Sequence, residues 1–130
     1  MAYEAGEIYL NTRTQKFTAS ADVAAKKGEV ITLTPAAEAP TGAPCAEDGA
    51  GPFAVAIEDV AKGKSGLAAT KGEVSVDCSG NCYTGAIVTG SGGKVKVCDT
   101  DPSGNWIKPL GRMTVGGADT TVGVVDLGGF

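Results

Sequence analysis

Glycine and proline break this 130-residue sequence at short intervals, with 20 glycines and 6 prolines, one residue in five. Glycine takes up backbone conformations that other residues resist, while proline lacks an amide proton and holds its φ fixed. A chain punctuated so often can make many turns but few long helices. Between the breaks lie short apolar segments at 7–10, 29–34, 53–57, 73–78, 83–88, 94–98, 106–110, 112–115 and 121–127. Several alternate. Val74, Val76 and Cys78 would share one face of a strand, with Glu73, Ser75 and Asp77 on the other, and Val95 and Val97 likewise oppose Lys94 and Lys96. A period of two marks strands with one buried and one wet face. Turn clusters such as Gly90-Ser91-Gly92-Gly93 separate them. The predicted fold class is all-β: a small β-barrel or β-sandwich-like domain with an extended N-terminal arm and at most one short helix.

The helix candidate is 21–27, with Ser20 as its cap, lysines in its last turn and Gly28 just beyond its end. The stretch 36–52, with three prolines and three glycines, reads as a long loop. The phrase Lys27-Gly28-Glu29-Val30 recurs as Lys71-Gly72-Glu73-Val74. Four residues do not make a repeat protein, and the simplest reading is one turn-to-strand solution used twice.

Large core formers are few: 5 Leu, 5 Ile, 13 Val and 3 Phe. A core this light is expected of a chain that gains stability from partners. With 42% hydrophobic residues and 20% charged ones, disorder is the less favoured alternative. The aromatics are also few, yet Tyr3 and Tyr9 fall within the first ten residues. Tyr3, Ile8, Tyr9 and Leu10 therefore suggest either an arm that docks onto a partner or a first strand packed in its own domain. Boundaries follow at 1–11 for the arm and 12–130 for the β-rich domain. Trp106 and Phe130 are weaker candidates for subunit packing, since tryptophan is often simply core.

Eleven basic against 15 acidic residues give a net charge of −4, which argues against a nucleic-acid partner. Histidine is absent, so Ser-His-Asp and Cys-His catalysis and His-ligated zinc are excluded. The four cysteines, Cys45, Cys78, Cys82 and Cys98, lack paired Cys-x-x-Cys knuckles. Free buried thiols are expected, with a Cys78–Cys82 hairpin disulfide and a metal site as the alternatives. The run from Asp99 to Gly104 imitates the start of a calcium loop, but its twelfth place is Leu110 where a bidentate Glu is needed. Gly63-Lys64-Ser65 imitates the end of a phosphate loop whose first glycine is here Glu58. Glu58 and Asp59 would point to opposite faces of a strand and make no dyad. No catalytic, cofactor or metal residue is therefore assigned, and no enzyme activity is expected. The acidic N-terminus does not resemble a secretory signal, and no run approaches the ~20 apolar residues of a membrane span. A soluble protein made in a reducing cytoplasm, without a membrane partner, is the expectation.

The order of segments carries a resemblance. Gly28-Glu29-Val30-Ile31-Thr32-Leu33 is followed by Gly51-Pro52-Phe53-Ala54-Val55-Ala56-Ile57-Glu58-Asp59, then Gly72-Glu73-Val74-Ser75-Val76 and Tyr83-Thr84-Gly85-Ala86-Ile87-Val88. The close is Leu110-Gly111-Arg112-Met113 running to Thr121-Val122-Gly123-Val124-Val125-Asp126-Leu127. Over most of 28–127 this resembles the small capsid decoration (cement, or head-stabilising) proteins of tailed bacteriophages. The four cysteines and the Pro-rich loop before Gly51 depart from that pattern. The resemblance implies a homotrimer on the outer capsid surface of the virion, binding the expanded head and clamping the major capsid protein lattice. On that reading the arm residues Tyr3, Ile8, Tyr9 and Leu10 would be capsid contacts. The alternative is a peripheral virion binding module, such as a tail-fibre or carbohydrate-recognising domain, for which seven aromatics leave little to build a platform.

Overall fold

The computed structural model describes residues 4–9, 11–47 and 51–129. Among them nine strands form and no helix: β1 (Arg13–Ala19), β2 (Val30–Thr34), β3 (Thr41–Pro44), β4 (Phe53–Ala56), β5 (Ser65–Asp77), β6 (Ile87–Ser91), β7 (Lys94–Val97), β8 (Gly111–Val115) and β9 (Val122–Leu127). The all-β expectation holds. Five strands close into a barrel in the order β1-β3-β2-β4-β5, with β5 running antiparallel back along β1. Closure removes the exposed strand edges that an open sheet would present.

Side-chain alternation separates two cores. Phe17, Ala19, Ile31, Leu33, Ala54, Ala56 and Ala68 form one cluster inside the barrel, joined by Ala25 and Val60. Their strand neighbours Val30, Val55 and Ala69 belong to the other cluster. A five-stranded barrel is narrow, so alanine and glycine suit most of its interior positions. Phe17 fills the space they leave and is 0% exposed. Gly42 on β3 permits this, because a Cβ there would stand 2.7 Å from Phe17 Cδ2.

β5 links the two halves of the molecule. Its first part pairs with β1 and β4, and its last part, Gly72 to Asp77, pairs with β9. The second sheet then continues β5-β9-β8-β6-β7. It curls until Val95 of β7 makes a parallel bridge to Cys78, at the end of β5. Val74, Val76, Val88, Val95, Met113, Val125 and Leu127 pack there against the outward side chains of the barrel.

Three local expectations need correction. No helix forms at 21–27. Seven residues carry too few hydrogen bonds to repay helix nucleation, and Ala25 instead exchanges backbone bonds with Val60, at 2.9 and 2.7 Å. Ala25 is thereby fully buried. The loop 36–52 contains β3, which pairs with β2 and, over Thr18–Thr41 and Ala19–Gly42, with β1. Residues 106–110 form no strand. They follow the 101–105 turn, in which Asp101 Oδ1 accepts the amides of Ser103 and Asn105, both at 2.9 Å, and Trp106 makes only an isolated bridge to Thr100.

Candidate interaction surface

Residues 4–9 lie antiparallel along the second part of β5, in line with β1. Gly6 N donates to Ser75 O at 2.7 Å, Ser75 N to Glu7 O at 2.9 Å, and Tyr9 N to Glu73 O at 3.2 Å. Ile8 stands opposite Val74. Because β9 holds the other side of this stretch, the N-terminal segment covers the edge that remains. The Ser75 hydroxyl fastens it, accepting from Glu7 N at 2.9 Å and donating to Glu4 O. At the far end Thr12 Oγ1 lies 2.7 Å from Tyr9 O and 2.8 Å from Glu73 O. Neither hydroxyl has a pattern in sequence that announces it, and Ser75, read as facing water, is instead fully buried beneath the N-terminal segment.

The repeated Lys-Gly-Glu-Val phrase acquires a physical role here. Gly28 and Gly72 have φ of 89° and 90°, where a side chain is strained. Each also lies directly against the N-terminal segment. A Cβ on Gly28 would fall 2.4 Å from Ala5 Cβ, and one on Gly72 would fall 2.3 Å from Asn11 O. Gly28 precedes a strand as expected, whereas Gly72 lies inside β5. Lys27, beside Gly28, places Nζ 3.1 Å from Glu7 Oε1 and 3.7 Å from Glu4 Oε1. The hydrogen bond that Lys27 donates to Glu7 is the main cause that raises the lysine pKa above its ordinary value. Exposed pairs of this kind are screened by water and orient a segment more than they stabilise it.

While its backbone is engaged, the segment turns side chains outward: Ile8 is 47% and Tyr9 37% exposed. Tyr3, Leu10 and Phe130 lie outside the described residues. Trp106 is not core. It is 45% exposed on the turn after β7, bridged to Thr100 and followed by the exposed Ile107. Ile8 and Tyr9 are neighbours on one extended segment, where successive side chains point to opposite faces, and Trp106 belongs to a separate element. Tyr83, which sequence reasoning passed over, is 68% exposed and borders a groove of about 440 Å³ with Asn81, Thr84 and Gly116–Ala118. A second groove, of about 490 Å³, is lined by Leu33, Pro35, Pro40, Pro52 and Phe53.

The charged and sulfur groups singled out in the sequence serve local structure. Glu58 accepts the Leu67 amide at 2.9 Å and Asp59 that of Lys27 at 2.9 Å. All four cysteines are free and buried. Cys98 Sγ donates to Ile107 O, and Cys45 Sγ accepts the Gly93 amide at 3.4 Å. Burial pushes every thiol pKa up, that of Cys82 to about 12. Among the described residues, no three acidic or cysteine side chains gather in a way that could hold a metal ion.

The fold has a counterpart among solved structures. The chain matches the crystal structure of the head fiber gp8.5 N base in bacteriophage phi29 with a TM-score of 0.65. The match covers 89% of this chain and 93% of that one, at 16% sequence identity. At that identity the likeness is one of fold. No family model and no curated protein matches the chain.

Two expected results follow from the geometry. Ser75→Ala strands the Glu7 amide and the Glu4 carbonyl, and should lower unfolding free energy by about 1–3 kcal/mol in denaturant titration. The thiols should react with iodoacetamide at pH 8 at least tenfold more slowly in the folded protein than in guanidinium, because the thiolate is the nucleophile. The sign for stability is the same. Folded thiols keep their protons while unfolded ones ionise near 9.0, so this contribution is full below pH 9 and declines as pH climbs towards 12.

Proposed function

We propose that this chain is a structural protein of a tailed-phage head, a non-enzymatic decoration protein that binds the major capsid protein lattice on the outer surface of the expanded head. The observation that carries this reading is the match in fold to a phage head fiber base, which spans nearly all of both chains. The sequence resemblance to head-stabilising proteins, drawn from different features, points the same way. The exposed Ile8 and Tyr9 lie on a segment whose backbone is already held against β5, so little conformational entropy would be lost on contact. With Tyr3 and Leu10 they are the proposed capsid contacts. Trp106 and Phe130 are the proposed contacts within a homotrimer.

Such a protein would strengthen the shell by linkage. A ligand that binds the expanded lattice and not the dispersed subunits shifts the equilibrium towards the lattice. Trimerisation would convert three modest contacts into one strong attachment. The test uses heads of the virus that encodes the chain, prepared without it. Adding the protein back should raise the temperature at which packaged DNA is released, and Ile8→Ala/Tyr9→Ala should bind such heads at least tenfold more weakly. An unchanged release temperature at saturating protein would overturn the reading.

A further inference from the structure

Cys78 and Cys82 stand apart from the other two thiols because the fold brings them to one place. Cys78 directly follows β5 and bridges Val95, while Cys82, four residues later, bridges Gly117. Each then reaches the other's partner. Cys82 Sγ lies 3.5 Å from Val95 O, and a Cβ on Gly117 would fall 3.0 Å from Cys78 Sγ. The two thiols are close enough to shift each other's pKa, Cys82 upward and Cys78 downward. Between them, Gly80 has φ of 73° with no atom within 4 Å of where its Cβ would be, so the three-residue link can adjust. Glycine at 117 lets the Cys78 sulfur pack directly against that backbone.

We infer that Cys78 and Cys82 form a dithiol–disulfide site, reduced in a reducing cytoplasm and closed to an intramolecular disulfide by a small-molecule disulfide oxidant. The balance is simple. The Cys78 thiolate attacks one sulfur of oxidised glutathione and expels glutathione thiolate, giving a mixed disulfide. The Cys82 thiolate then attacks the Cys78 sulfur and expels the second glutathione. Two thiols become one S–S bond, two protons leave, and one oxidised glutathione becomes two reduced molecules. Cys45 and Cys98 stand with Gly93 and Ile107 respectively, and have no such partner thiol among the described contacts.

Access controls the rate. Cys78 and Cys82 are 0% and 1% exposed, beneath the 79–81 link. Asp119 pins that link, because its Oδ1 accepts the Gly80 amide at 2.7 Å while its own amide donates to Asn81 Oδ1 at 3.1 Å. Its carboxylate also faces Cys82 and disfavours the thiolate there. Removing Asp119 should therefore hasten closure without changing its product.

The test incubates the full-length protein with oxidised glutathione at pH 8.5, blocks remaining thiols in guanidinium, and maps the tryptic peptides by mass. Residues 72–94 contain no internal Lys or Arg and carry both cysteines, so the bridge appears within one peptide. The expected result is a 72–94 peptide two hydrogen atoms lighter than its reduced form, with Cys45 and Cys98 still blocked. Asp119→Ala should reach it at least threefold faster, and Cys82→Ser should never reach it. Should Cys82→Ser fail to fold, Cys82→Ala serves, because wild-type closure is read from its own peptide. A wild-type peptide that stays fully blocked, stops at the glutathione adduct, or links to Cys45, Cys98 or a second chain would overturn the inference.

Discussion

The Gly72→Ala protein is expected to melt far below the parent or to lose its cooperative transition. Two independent terms act at this position. With φ at 90°, any Cβ carries the left-handed penalty of about 1–2 kcal/mol. That Cβ would also stand 2.3 Å from Asn11 O and 2.7 Å from Thr12 Cα, both main-chain atoms that cannot rotate away. The chain must then lift from β5, and the edge at Glu73–Ser75 loses its cover. A total of about 3–5 kcal/mol is expected. Gly80→Ala is the control, because it shares the positive φ of 73° but meets nothing within 4 Å. It should show only the conformational term of about 1–2 kcal/mol. Equal losses in the two variants, measured by urea unfolding, would mean that the close crossing at Gly72 contributes nothing.

Phe17→Ala should lower stability by about 3–5 kcal/mol, towards the upper end. Among the described residues, Phe17 is the largest side chain buried completely. Its neighbours in the barrel are chiefly alanines, together with Gly42, which have no reach to close the void. The reciprocal change is informative. Gly42→Ala drives a methyl to 2.7 Å from the Phe17 ring and should destabilise by about 1–3 kcal/mol. In a Phe17→Leu background the same methyl finds room, so the double variant should be more stable than the two single losses imply. Strict additivity in denaturant titrations would contradict the packing described for the barrel.

These two residues also explain which parts of the fold could be read from sequence. Strands with one apolar face were legible: Val74 and Val76 on β5 and Val95 on β7 alternate with polar neighbours as pleated strands must. The barrel was not. β1 carries a single large apolar residue, Phe17, among Arg13, Gln15 and Lys16, so no period of two emerges. The start of β5, with Ala68 and Ala69, and the Gly-Ala-Pro end of β3 have poor strand propensity. They become strands because the interior of a narrow barrel selects small side chains, a tertiary demand that local pattern cannot display. The same selection accounts for the shortage of Leu, Ile and Phe, which from composition alone suggested dependence on partners.

The candidate surface was legible to a similar degree. Ile8 and Tyr9 stood out by type and position, and their side chains do face solvent. The anchors beneath them did not. Ser75 and Thr12 act through hydroxyl bonds to backbone that is distant in sequence or set by a turn. The glycines of the repeated phrase were visible, but their closeness to Ala5 and Asn11 exists only once the chain has crossed itself.

Co-sedimentation with purified heads of the encoding virus tests the proposed role most directly. Mixed with expanded heads, the protein should pellet saturably, at a stoichiometry repeated across the lattice, and should remain in the supernatant with dispersed major capsid protein. A protein that never pellets with those heads at any concentration, while staying folded, would contradict the account.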